Sequence, residues 1–172
     1  MDNLFFLARD SFVWYRMALR LRHLFLGMNF HYLYISRKAV FVSCLYDLSD
    51  YELELVFSDT IGYTPRQLLS SLALEEDEML QAFCADELDE PLDSGKRVRF
   101  YDRIRSSSLA KILLEKSGEA RRLLLSYLRQ EGFLGSEKPG IVDIGWKGNT
   151  NRVLNYILRR EEDTNAYLPF FL

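Results

Sequence analysis

The residues whose types and spacing suggest chemistry lie between Gly140 and Thr150. The apolar run Gly140-Ile-Val142 ends in a single acid, Asp143. A loop of Gly145, Trp146, Lys147, Gly148, Asn149 and Thr150 leads into an amphipathic helix expected over Asn151–Arg160. Strand, glycine loop and helix amino terminus in that order present backbone N–H groups to an anion. An acid placed directly after Ile-Val at a strand end is costly unless it is paired or used. Asp143 is therefore the first candidate for catalysis, for a ligand hydroxyl or for a metal. Two further polar clusters follow apolar runs: Arg9-Asp10-Ser11 and Ser36-Arg37-Lys38. Ligands of open parallel sheets bind at the carboxyl ends of the strands, where all three clusters are expected. Acids, cations, hydroxyls and a glycine loop together suit a phosphorylated small molecule, with Mg2+ as a candidate companion. Plainer roles stand beside these. Asp10 or Ser11 can cap a helix, Arg37 and Lys38 can form a solvated helix start, and Trp146 can plug a core or stack on a ligand.

Common catalytic templates are absent. The chain has no Gly-x-x-x-x-Gly-Lys-[Ser/Thr], no Gly-x-Gly-x-x-Gly, no Gly-x-Ser-x-Gly and no His-Glu-x-x-His. A phosphoribosyltransferase loop is nearer, but Val142 and Lys147 stand where that loop has its first acid and first threonine. His23 and His31 have neither metal spacing nor an evident nucleophile, which points to structural roles. The acidic loop Asp86–Gly95 lacks the spacing of a calcium loop. Lys96, Arg97, Arg99, Arg103 and Arg105 follow it, either pairing with its acids or reaching an anionic ligand.

The elements that must position these residues follow from periodicity. Leu4–Ala8 reads as a strand buried on both faces. A helix is expected from Phe12 to Leu26, with Arg16, Arg20 and His23 outward, Val13, Trp14, Met17, Leu21 and Leu24 inward, and Gly27 as its stop. His31–Ile35 reads as a second strand and Ala39–Tyr46 as a second helix, implying parallel strands. From Asp50 to about Glu131 the pattern is helical: Thr64-Pro65 starts one helix, and Leu123, Leu124, Tyr127 and Leu128 form a stripe closed by Gly132. The expectation is one α/β domain over residues 1–172, with a short, mainly parallel sheet, flanking helices and a helical insertion at about 50–131.

The totals narrow the classes. At 172 residues the chain can bury a proper core. A net charge of −3 gives no global case for nucleic acid. Two isolated cysteines, Cys44 and Cys84, fit buried thiols better than a disulfide or zinc framework. No uncharged apolar run approaches the roughly 18 to 20 residues of a membrane span, and the first residues carry no basic leader. These features predict a cytoplasmic location. The stretch Ala166-Tyr-Leu-Pro-Phe-Phe-Leu172 reads as another strand starting, and the sequence suggests a fragment of a longer protein cut at both ends.

Taken together, Phe6-Leu-Ala-Arg-Asp10, Tyr34-Ile-Ser-Arg-Lys-Ala39 and Val142-Asp-Ile-Gly-Trp-Lys-Gly148 resemble a bacterial family described as predicted haloacid-dehalogenase-superfamily hydrolases. The likeness is to the region following their hydrolase core. It implies a place in capsule or O-antigen glycan assembly. Ser11 stands where that family usually has glycine, and the superfamily's Asp-x-Asp nucleophile motif is missing. Aspartyl-phosphate chemistry needs one carboxylate to attack and a second as acid/base, so the hydrolase chemistry would belong to another domain. Three functions follow as expectations. The first is a phosphate- or nucleotide-sugar-binding domain, transferase-like, on which Asp143 and Asp10 are the acids. The second is a non-catalytic module docking a hydrolase core to a glycosyltransferase. The third is a phosphatase of the superfamily.

Overall fold

The computed structural model describes residues 2–57, 60, 62–137, 139–144, 148–161 and 168–171. The first apolar run forms β1 (Asn3–Leu7), with Phe5, Phe6 and Leu7 buried. β1 pairs in parallel with β2 (Asn29–Leu33), Leu7 opposite Leu33, and with β3 (Gly140–Asp143), Phe6 opposite Val142. β3 pairs in parallel with β4 (Leu168–Phe171), Asp143 opposite Phe171. The order across the sheet is β2-β1-β3-β4. The fold is thus α/β with a small parallel sheet and flanking helices. Phe5, Phe6 and Leu7 point to alternate faces and all are buried, so both faces of β1 are covered, which explains why the segment is continuously apolar instead of alternating.

The chain forms two compact units, Met1–Val40 with Arg122–Leu172, and Phe41–Arg121. The first holds the sheet. After β1 comes α1 (Phe12–Arg20), shorter than the expected Phe12–Leu26, and then a 3-10 turn over Arg22–Leu24. Gly27, at φ +81°, closes the turn in a conformation that favours glycine. The expected inward stripe is not inward. No residue of α1 is buried, and Val13, Trp14, Met17, Leu21 and Leu24 remain 41–65% exposed. The sheet is met instead by Tyr15, whose ring lies 5.7 Å from Phe6 and 5.4 Å from Tyr32. The helix is apolar on more than one face, so its periodicity did not say which face the sheet would take. α2 (Arg37–Val42) follows β2 two residues earlier than expected.

The second unit is helical. It contains α3 (Asp50–Phe57), α4 (Pro65–Ser71), α5 (Glu76–Met79), α6 (Ala85–Leu88), α7 (Ser94–Ser106) and most of α8 (Leu109–Gln130). Leu53, Phe57, Leu68, Leu69, Leu72, Leu88 and Ile104 fill its core. Thr64 caps α4 as its sequence predicts: its hydroxyl accepts from Gln67 N–H at 3.3 Å and the Gln67 side chain accepts from Thr64 N–H at 3.0 Å. Three acids of the Asp86–Gly95 stretch pair with cations and a fourth caps a helix. Glu87 meets Arg103 at 2.7 Å, Asp89 meets Arg66 at 2.7 Å, Glu90 meets Lys96, and Asp93 caps α7. Arg105 reaches Asp50 and Asp102.

One carboxylate here was not foreseen. Glu52 is fully buried and accepts the backbone N–H groups of Tyr46, Asp47 and Leu48 at 2.9–3.0 Å. It organises the turn after α2, where Leu48 sits at φ +56°. Arg121 lies over the Tyr46 ring at 3.6 Å and donates to the carbonyls of Ser43 and Leu45. Cys44 is buried as expected, and burial pushes its thiol up to about 12. Cys84 is exposed, against expectation, because it occupies the N-cap of α6, a position on the surface of a helical turn.

α8 closes as its sequence predicts. Gly132 lies at φ +76°, Phe133 N–H donates to the Leu128 carbonyl at 2.9 Å, and Gly132 N–H donates to that of Arg129 at 3.1 Å. Leu124 and Leu128 are buried, but Leu123, assigned to the same stripe, is 62% exposed. α9 (Asn149–Arg160) buries Val153, Leu154, Ile157 and Leu158 at helical spacing. Among the described residues no helix is long and apolar enough to cross a membrane.

Candidate functional site

Four parallel strands put all their carboxyl ends on one edge, so the three polar clusters share that edge. The strand order separates them further. From β1 the chain goes to β2 on one side, and from β3 it goes to β4 on the other. The order therefore reverses between β1 and β3. Right-handed crossovers leaving in opposite directions send the following helices to opposite faces, the arrangement in which open α/β sheets form their ligand crevice beyond the carboxyl ends of the two strands. At this point of the sheet the described residues that follow the strands are Arg9, Asp10 and Ser11 after β1, and Asp143, Gly148, Asn149 and Thr150 after β3.

Arg9 and Asp10 are exposed in the turn after β1. Burial raises the Tyr32 hydroxyl above its ordinary range, and the charges of Tyr34 and Asp10 add to the shift. Ser11 behaves differently from both roles foreseen for it. It occupies the N-cap of α1 at φ −79°, ψ 0°, yet its side chain makes no capping bond. An N-cap hydroxyl reaches the first-turn N–H groups from extended backbone, which Ser11 lacks. It is fully buried, and its Oγ donates to the Val142 carbonyl at 3.1 Å. Ser11 thus ties the β1 loop to β3.

Asp143 is half-buried at the end of β3. Asn151, in the first turn of α9 and 2% exposed, donates from Nδ2 to Asp143 Oδ2 at 3.3 Å. Sequence reasoning did not single out Asn151. The only sign was a polar residue on the inward stripe of a helix, eight residues after the acid. Gly148 is buried at the N-cap of α9 in the left-handed conformation, φ 61°, ψ 17°. Glycine reaches that backbone without the penalty a Cβ brings. Asn149 and Thr150, both half-buried, form the start of α9. Gly145, Trp146 and Lys147 lie outside the described residues.

Ser36, Arg37 and Lys38 follow β2, one strand away from the crevice on the far side of β1. All three are exposed. Ser36 Oγ accepts the Ala39 N–H at 3.2 Å, so the hydroxyl serves the start of α2. Tyr127 Oη accepts the N–H of Tyr34 at 2.8 Å and fixes the exit of β2, a second positioning residue that the sequence did not reveal. His31 is structural, as expected. Its ring stacks on Phe5 at 4.5 Å and its Nε2 lies 3.0 Å from Asn3 Oδ1. The geometry thus ties Ser11 to β3 next to Asp143, keeps Arg9 and Asp10 in the same turn as Ser11, and sets Ser36, Arg37 and Lys38 to one side.

Among the described residues no group of three His, Cys, Asp or Glu side chains is placed to hold a metal ion. In the helical unit a separate hollow of about 230 Å³ is lined by Phe83, Glu87, Lys96, Arg99, Phe100 and Arg103. Its acids and two of its cations already form ion pairs, Glu87 with Arg103 and Glu90 with Lys96. The chain matches no protein-family model and no curated protein.

Proposed function

We propose that this chain is the phosphate- or nucleotide-sugar-binding α/β domain of a haloacid-dehalogenase-hydrolase-like protein in bacterial cell-surface glycan assembly. The observation that carries the ligand class is the reversal of strand order between β1 and β3, with the two flanking loops supplying Arg9, Asp10, Asp143, Gly148, Asn149 and Thr150. In this reading the α9 amino terminus faces the phosphate, where backbone N–H groups and the helix dipole favour an anion. Arg9 adds charge from the β1 loop, and Lys147 does so from the β3 loop. Asp143, steadied by Asn151, accepts a sugar or ribose hydroxyl. The place in glycan assembly rests on the three motifs that resemble the hydrolase family.

The described carboxylates form no closed cation site. Mg2+ commonly takes one or two protein carboxylates and completes its shell with ligand phosphates and water. Asp143 is the residue that would hold it, and only together with the ligand.

The test is binding across a panel of sugar phosphates and nucleotide sugars, read by calorimetry and by hydrogen exchange. Exchange should slow in peptides covering residues 9–13 and 139–152. Asp143→Asn should weaken affinity by roughly 10-fold or more, the scale of one charge-assisted hydrogen bond. Arg37→Gln with Lys38→Gln should change it far less. No binding by any member of the panel would end this reading. Retained cellular function in Asp143→Asn would favour a docking module instead.

A further inference from the structure

We propose that the outer face of α1 and the turn after it dock on an anionic membrane surface. The proposal rests on this exposed segment and is independent of the ligand assigned to the crevice. Exposed apolar residues of this segment include Trp14, Met17, Leu21, Leu24, Phe25 and Leu26, open by 41–90%, with Leu26 the most open. These residues are close together in the chain, running from the helix into the 3-10 turn and up to Gly27. A run of exposed apolar side chains of this kind marks an interaction site more often than chance exposure.

Charge chooses the partner. Between Asp10 and Asp47 the sequence contains no acid and five cations, Arg16, Arg20, Arg22, Arg37 and Lys38, in a protein of net charge −3. Three of these cations, Arg16, Arg20 and Arg22, alternate with the apolar residues and are themselves exposed. Tryptophan, phenylalanine and leucine beside arginine is the composition of helices that lie in the headgroup region of bilayers. The apolar side chains enter the acyl boundary, while the guanidinium groups stay with lipid phosphates. A fluid interface takes protruding side chains such as Leu24 and Leu26 without a matching pocket. A protein partner would need one. The segment is too short to span, so attachment is peripheral and weakened by salt.

Co-sedimentation tests this with two vesicle types, pure phosphatidylcholine and phosphatidylcholine mixed with phosphatidylglycerol. The protein should pellet with the mixed vesicles, far less with the neutral ones, and less as salt rises. Arg16→Gln with Arg20→Gln should weaken binding roughly 30-fold, from about 1 kcal/mol of surface attraction per cation. Leu24→Ser with Leu26→Ser should abolish it while circular dichroism stays unchanged, since neither side chain is in the core. Trp14 emission should shift to the blue on binding, a signal absent in Trp14→Phe. The proposal fails if the folded protein ignores mixed vesicles, or if both double variants still bind them. It also fails if Leu24→Ser with Leu26→Ser instead dissolves a dimer, or releases an acidic polypeptide such as polyglutamate, without any vesicle binding.

Discussion

At the scale of single residues, side chains that the sequence marked as chemical turn out to differ in what they touch. Ser11 and Ser36 both follow strands, yet one hydroxyl bridges two strand ends and the other caps a helix. Asp143 keeps a half-exposed carboxylate, held from one side by Asn151. His31 offers a quantitative check. Burial holds its imidazole below the ordinary value of 6.5, with Glu131 acting in the opposite sense. Between the lowered value and 6.5 the unfolded chain binds more protons than the folded one. The stability it contributes is therefore complete above about 6.5 and is lost as pH falls through the folded value. Glu78, Glu87, Asp89 and Asp93, all held below their ordinary carboxylate values by hydrogen bonds, titrate lower still and leave this window clear. The urea midpoint should drop from pH 7.5 to pH 5.5 in the natural protein, and the drop should shrink in His31→Phe, which keeps the stack on Phe5. An equal drop in both would show that His31 does not report on stability.

At the scale of elements, the crevice depends on β1 and β3 holding their loops together. Ser11→Ala removes the hydroxyl that bridges them and leaves the Val142 carbonyl buried without that donor. A loss of about 1–2 kcal/mol is expected, lowering Tm by about 2–8 °C in a chain of this size. Calorimetric scans would measure it, and an unchanged Tm would mean that the bond is replaced when lost. The elements themselves were legible in the chain because their causes are local. Thr64-Pro65 started α4, Gly132 stopped α8, and the apolar run Phe5-Phe6-Leu7 became a central strand. α1 is shorter than its pattern suggests. Its apolar residues exceed one helical stripe, so the pattern could not say where the helix stopped or which side was covered.

At the scale of the whole molecule, the two cysteines report on different parts of the fold. Cys84 is exposed on a helix cap, whereas Cys44 is enclosed beside Glu52 with its thiol held protonated. A thiolate-directed reagent at pH 8 should modify one cysteine per chain in the native protein and two after denaturation. The slow second reaction would follow opening of the Phe41–Arg121 unit. Modification of both at one rate would contradict the enclosure of Cys44. The sequence by itself determined the parallel α/β class, the helical character of the middle of the chain, and the placement of polar clusters after apolar runs. All of these rest on periodicity and on residue preferences within a few positions. Only the tertiary structure decided that β1 lies between β2 and β3. That order puts the turn after β1 beside the end of β3, where Ser11 meets Val142, and leaves Arg37 and Lys38 aside. It also decided that Asn151 steadies Asp143, that Glu52 is buried, and that α1 keeps an apolar face in solvent. Strand order and burial depend on contacts between residues far apart in the chain, and the same local pattern is compatible with several such arrangements.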